Sequence, residues 1–233
     1  VVIKYPTSST PSLRTVGRLV HEYQVLKKLD QVPGVERPEA LLRQSGTAML
    51  VLKDEGLRPL ERMLTARGRL RVDEALQIAV KLGNILQGVH AAEIIHKDLK
   101  PQNILVDDKC HLIALAGFSI ASELTQETAP ASIPEALEGT LAYISPEQTG
   151  RTARAVDVRA DLYSLGVTIF EMLTGRRPFE EGDPLALVYA HLAKPAPLAG
   201  TLLPAPGGSP YVPPALTRIR RVDATTTTCP SKP

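Results

Sequence analysis

Tryptophan is absent from this 233-residue chain, and only three phenylalanines and six tyrosines are present. Base stacking on aromatic side chains therefore has little to work with. Cysteine is scarce too. Cys110 and Cys229 stand far apart in different surroundings, which gives neither a disulfide framework nor a zinc ligand set and fits a reducing compartment. An excess of either charge is also missing: 27 basic residues against 25 acidic ones leave a net +2, so no electrostatic case for a nucleic-acid partner arises. Long apolar runs are lacking. The longest, Leu162 to Leu173, is interrupted by Ser164, Gly166, Thr168 and Glu171 and is too short to span a bilayer, and no signal-peptide pattern opens the chain. These absences argue against a nucleic-acid binder, a membrane protein and a disulfide-stapled secreted domain. The expected location is the cytoplasm.

What is present is one dense polar stretch, His96-Lys97-Asp98-Leu99-Lys100-Pro101-Gln102-Asn103-Ile104-Leu105, set between an apolar helical run and a short apolar strand. Asp98 can accept a proton from a hydroxyl. Lys100, two residues on, can reach a phosphate, and Asn103 can bind a metal ion through its side-chain oxygen. An acid, a lysine and an amide at those offsets suit phosphoryl transfer. The bland alternative is a polar turn before a buried strand, and the flanking elements argue against it.

Those elements read as follows. Val1-Val2-Ile3-Lys4 is a strand end, and Thr10-Pro11 is a cap and first-turn proline for a helix whose apolar residues Val16, Leu19, Val20, Tyr23, Leu26 and Leu29 recur at helical spacing. Gly46 to Leu52 is a buried strand, and Leu57 to Thr65 a short helix. From Asp73, taken as an N-cap, a wide apolar stripe from Ala75 to Val89 marks a long helix, with His90 at its end bonding a backbone carbonyl. His96 braces the loop. Ile104 to Val106, a turn at Asp107 to Lys109 and Cys110 to Leu115 make a hairpin. Asp157 to Thr174 is apolar nearly all round, hence a central helix ended by Gly175, and Leu185 to Leu192 is one more. From Pro195 on, prolines crowd the chain ahead of the Thr225 to Thr228 run, and this end is expected to be largely disordered.

The loop at His96 to Asn103 resembles the catalytic loop of the protein-kinase family, H-R-D-L-K-P-x-N, with Lys97 in place of the arginine. Glu138-Gly139-Thr140-Leu141-Ala142-Tyr143-Ile144-Ser145-Pro146-Glu147 resembles the family's closing G-T-x-x-Y-x-x-P-E segment, and Thr140 with Lys100 is the serine/threonine pattern. The resemblance implies an α+β, two-lobed fold with an incomplete β-rich N-lobe over residues 1–56 and a mainly helical C-lobe over 57–195, followed by a Pro/Thr-rich tail over 196–233. It further implies ATP and magnesium as cofactors, held by Lys4 paired with Glu22, by the hinge Lys53-Asp54-Glu55-Gly56 with Leu52 just before it, and by Asn103, which is also the metal ligand. Asp98 and Lys100 are the implied catalytic residues, and Asp161 the buried acid that holds the loop's backbone.

Beyond Lys97, the sequence departs from the family's pattern in two further places. Where the family has D-F-G, this chain has Gly117-Phe118-Ser119, so the magnesium-binding acid is replaced by glycine. The G-x-G-x-x-G loop that covers the phosphates, which precedes the Lys4 strand in the family, is not in the sequence, so a catalytic domain truncated at both ends is expected. The run through Gln148-Thr149-Gly150-Arg151 is also similar to kinase modules at the head of large hybrid sensor histidine kinases, which implies downstream signalling domains as partners beside a Ser/Thr-bearing protein substrate. Two functions follow: a serine/threonine protein kinase, or a pseudokinase that binds or scaffolds.

Overall fold

The computed structural model describes residues 1–8, 10–44, 46–124 and 141–202. The polar stretch Glu123 to Glu138, whose Thr125, Thr128 and Ser132 mark it from sequence as an activation segment, lies outside the described residues from Thr125 on, as do Thr140 and the tail beyond residue 202.

An antiparallel three-stranded sheet opens the fold, with β1 (Val2–Lys4) and β2 (Pro38–Gln44) flanking a central β3 (Thr47–Leu52). β3 alternates buried and half-buried residues, and Ala48, Leu50 and Leu52 are fully enclosed. That alternation is what a sheet covered on one face requires. The cover is α1 (Leu13–Lys28), which buries Val25 and Leu26 against it. The cap differs from the sequence expectation. Ser12, not Thr10, starts the helix, its hydroxyl accepting from the Thr15 N–H at 3.1 Å. Lys27 and Lys28 close the last turn, where positive charge suits the helix dipole.

The remaining elements build a helical body. β4 (Arg58–Pro59) leads into α2 (Leu60–Arg67), and α3 (Val72–Ala91) follows with Ala75, Ile78, Leu82, Ile85, Leu86 and Val89 buried along one face. Asp73 is not its cap. Arg71 holds that position, and Glu74 reaches back to accept from the Arg71 N–H at 3.1 Å. β6 (Ile104–Val106) and β7 (Ile113–Leu115) form the hairpin, shorter on its second strand than expected. Two-residue strands β5 (Ile94–Ile95) and β8 (Ser122–Glu123) pair with each other. α4 (Arg159–Thr174) packs on α3 and is stopped by Gly175 at φ 74°. α5 (Pro184–Ala193) and α6 (Ala199–Leu202) complete the body; α6 lies within the stretch expected to be disordered, and its Ala199 is buried.

One core runs from Leu26, Leu50 and Leu52 through Leu82, Leu86 and Leu99 to Phe118 and Met172. Each such side chain, taken fully from water, contributes about 1.5–3 kcal/mol. A second cluster joins Leu141, Tyr143, Ile144, Val167, Phe179 and Val188. It fixes the segment after residue 140 onto α4 and α5. The architecture is the mixed α+β arrangement expected of a kinase-like chain.

Candidate active site

α3 carries the chain to β5, and the loop begins at His96, which is fully buried. Asp161, buried at the start of α4, accepts the His96 N–H at 2.9 Å and the Lys97 N–H at 2.8 Å. His90 lies 2.8 Å from the same carboxylate through Nε2. The helix-end histidine thus bonds a carboxylate, not the backbone carbonyl expected from sequence, because the α3 end faces α4 instead of free helix carbonyls. A buried acid without such partners would be costly, and three donors satisfy this one.

His96 accepts the Asp98 N–H on Nδ1 at 3.2 Å, so its proton sits on Nε2, which donates to the Ala116 carbonyl at 2.9 Å. Its ring meets Phe118 edge-on at 4.5 Å. Lys97 is held at φ 65°, a left-handed conformation that turns the chain toward Asp98. Its carbonyl accepts from Gln148 Nε2 at 2.8 Å, and Ser145 donates to the Gln148 Oε1 at 3.0 Å. Gln148 was not singled out by sequence reasoning; nothing local distinguishes it, since its role comes from a partner 51 residues away.

The three loop residues converge. Lys100 Nζ donates to Asp98 Oδ1 at 2.8 Å, and Asn103 Nδ2 donates to Asp98 Oδ2 at 2.9 Å and to the Asp98 carbonyl at 2.7 Å. The two acceptors fix the amide's orientation, which turns Asn103 Oδ1 toward Gly117. Gly117 has φ 84°, and a Cβ built there would lie 2.5 Å from Asn103 Oδ1 and 2.6 Å from Nδ2. The amide occupies the room a side chain at residue 117 would need.

Across the cleft, Lys4 Nζ reaches Glu22 Oε1 at 3.0 Å, as the 18-residue spacing implied, and also Glu36 Oε2 at 2.9 Å. Glu36 was missed: 32 residues separate it from Lys4, and no sequence spacing marks the contact. Burial opposes the charge on Lys4, but the two carboxylates outweigh it and hold its pKa above the ordinary lysine value. Burial pushes the Glu36 carboxyl up; Lys4 pulls against this, while Glu22 and Glu55 add to the rise.

Glu36 also lines a small open cleft whose apolar walls are Val2, Leu57, Leu105 and Ala114, with Lys53 to Glu55 along one edge. An apolar lining with polar groups along one edge suits a flat heteroaromatic base. Asp54 belongs to the edge, its Oδ1 accepting from the Gly56 N–H at 2.9 Å. Leu52 does not face the cleft; its side chain is fully buried in the core, because the alternation of β3 turns it inward.

Protein kinases as a family use ATP and magnesium. The nucleotide cleft fits the first. The second fits poorly, since magnesium needs one or two carboxylates beside phosphate oxygens and water, and the loop has none to spare. Asn103 offers one neutral oxygen, Gly117 none, and Asp98 is already shared between Lys100 and Asn103.

The family profile for the protein kinase domain matches residues 1–198. The chain is 34% identical over 139 residues to the probable serine/threonine-protein kinase pknA2 of Bifidobacterium longum, a match covering 60% of this chain and 18% of that one. It is 36% identical over 152 residues to the serine/threonine-protein kinase PknA of Mycobacterium tuberculosis, covering 65% of this chain and 34% of that one. The chain therefore spans well under half the length of these relatives. No helix among the described residues is long and apolar enough to cross a membrane. With the profile running through both the Lys4 pair and the Asp98 loop, the chain belongs to the protein kinase family.

Proposed function

We propose that this chain is a serine/threonine protein kinase domain that acts on protein hydroxyls in signalling, with ATP supplying the phosphoryl group. The observation that carries the reading is the convergence of Lys100 and Asn103 on the Asp98 carboxylate, at 2.8 and 2.9 Å. Asp98 orients the acceptor hydroxyl and takes up its proton. Lys100, two residues away, brings positive charge to the side of the acid where the phosphoryl group would arrive. Lys4, placed by Glu22, faces the phosphates from the sheet, and the cleft beside Asp54 receives the base. Protein substrates bearing Ser or Thr, and further signalling domains in a longer chain, are the partners this reading implies. A cytoplasmic location accompanies it.

A second reading, a pseudokinase that binds or scaffolds, draws on Gly117 and on the Asn103 amide filling the space beside it. Transfer of labelled phosphate to a basic protein separates the two, measured with the native chain, with a version extended upstream and with Asp98→Asn. Transfer by the extended chain that is lost in Asp98→Asn supports the kinase. Nucleotide binding without transfer in either native form supports the second reading.

A further inference from the structure

The Lys4 ammonium faces two carboxylates, not one. Glu22 approaches from α1 at 3.0 Å and Glu36 from the segment before β2 at 2.9 Å, and their side chains are 4% and 7% exposed against 31% for Lys4. One positive charge set between two negative ones leaves a local charge of −1. Both acids hold their geometry firmly. Glu22 is anchored on a well-packed helix, and the Glu36 backbone N–H donates to the Leu115 carbonyl at 3.0 Å, which ties it to β7. Other charges bordering the cleft are mixed: Arg37 and Lys53 against Asp54 and Glu55. They do not cancel the deficit at Lys4, because long exposed side chains are screened by water, whereas Glu22 and Glu36 are not. A phosphate oxygen that came to Lys4 would have to displace one carboxylate or share the ammonium with two, and Gly117 supplies no carboxylate that could bring a cation to it.

We infer that Glu36 is a specificity-determining residue of this cleft: as a second acid on Lys4 it selects against the polyphosphate chain, so that recognition rests on the base and sugar. The inference rests on the cleft being a nucleotide site, as proposed above. It assigns Glu36 a role in discrimination and not in bond-making. Of the three N–H donors of the ammonium, two go to buried acids, so a phosphate oxygen meets a single remaining donor in surroundings of net negative charge. Glu36 lines the cleft wall while touching Lys4, so its charge is felt by a ligand in the cleft.

The test is isothermal titration of the native 233-residue chain with adenosine, AMP, ADP and ATP, with and without magnesium, repeated with Glu36→Gln. Glutamine keeps the shape and an oxygen for Lys4 but removes the charge. For the native chain, affinity should not rise from adenosine to ATP. For Glu36→Gln, ATP should bind about tenfold tighter, about 1.4 kcal/mol, with adenosine unchanged. A purely structural role would move both ligands together. ATP binding the native chain tenfold more tightly than adenosine overturns the inference, and so does an ATP-to-adenosine ratio left unaltered by the substitution. The native series decides the matter even if the variant does not fold. Failure of adenosine to bind either protein would bring down the nucleotide-site reading, and the inference with it; adenosine binding without the change in ratio brings down the inference alone.

Discussion

Gly117→Ala offers a direct measurement of how tightly the loop is closed. A non-glycine residue at φ 84° meets a left-handed penalty of about 1–2 kcal/mol. The new Cβ would also stand 2.5 Å from Asn103 Oδ1, so the amide must swing away. Doing so breaks its bond to the Asp98 carboxylate at 2.9 Å and to the Asp98 carbonyl at 2.7 Å. Those two bonds are worth about 1.5–3 and about 0.5–1.5 kcal/mol respectively. Partial relaxation lowers the sum, and a loss of about 3 kcal/mol is expected, a large share of the ~5–15 kcal/mol that holds a typical domain. In an Asn103→Ala background only the backbone penalty remains, so the same substitution should cost about 1–2 kcal/mol. The coupling between the two sites, about 1–2 kcal/mol, is the quantity that isolates the contact.

With no tryptophan in the chain, far-UV circular dichroism through a urea titration is the suitable probe for all four proteins of this cycle. A coupling near zero would refute the crowding of Asn103 against Gly117. The same geometry decides what Gly117→Asp does. Adding the acid does not by itself restore a metal ligand, since its Cβ displaces the one amide expected to share the ion. If Gly117→Asp were as stable as the native chain and bound magnesium, the reasoning would fail.

Asp161→Ala should cost about 3–5 kcal/mol and deprotect the His96 and Lys97 amides to hydrogen exchange, because both N–H groups lose their acceptor; unchanged protection would contradict the anchoring role. Two glycines of one helix region should respond with opposite sign: Gly166→Ala, with open space about its Cβ position, should gain about 0.5–1 kcal/mol, whereas Gly175→Ala at φ 74°, 2.5 Å from the Gly68 carbonyl oxygen, should lose about 2 kcal/mol or more, both read from thermal melts. His191, buried beside Phe179 and Tyr163, has its pKa lowered from 6.5 to about 4 by burial. Its folded pKa lies below the unfolded one, so the neutral ring's contribution is complete above pH 6.5 and is lost as pH falls toward 4, by about 3 kcal/mol in all. Urea midpoints across that range should fall for the native chain and fall less for His191→Gln.

The helices and the loop were legible because their signals are local. The stripe of α3 from Ala75 to Val89 repeats at helical spacing, and α4 reads as buried from its composition alone. Caps were misread by two residues: Thr10 for Ser12, where either hydroxyl could cap, and Asp73 for Arg71, whose side chain makes no cap bond and whose N–H is taken by Glu74 instead. β2 escaped notice. Its sequence, Pro-Glu-Ala-Leu-Leu-Arg-Gln, has no β-branched residue, and it is a strand because β3 offers it an edge, with a bulge between Pro38 and Ala40. Of the site, Lys4 with Glu22 and the Asp98 cluster follow from motif spacing. Glu36, Gln148 and the His90 contact to Asp161 do not, because each depends on a partner distant in sequence.

The departures at Gly117 and Glu36 bear on each other through charge. The family's pattern has an acid at residue 117, where it would draw a cation toward the phosphates; this chain has none there and has a buried acid at Glu36 instead, 2.9 Å from the lysine meant for those phosphates. An acid at residue 117 and an acid at residue 36 act in opposite senses. An acid beside a metal position gathers positive charge onto the polyphosphate, whereas an acid on Lys4 neutralises the positive charge already available. Restoring the acid at 117 alone would add a negative charge to a cleft whose lysine is still engaged twice. Removing the charge at Glu36 frees the lysine without disturbing Asn103 or Asp98. Tighter polyphosphate binding is therefore expected first from Glu36→Gln, and substitutions at Gly117 gain effect only afterwards.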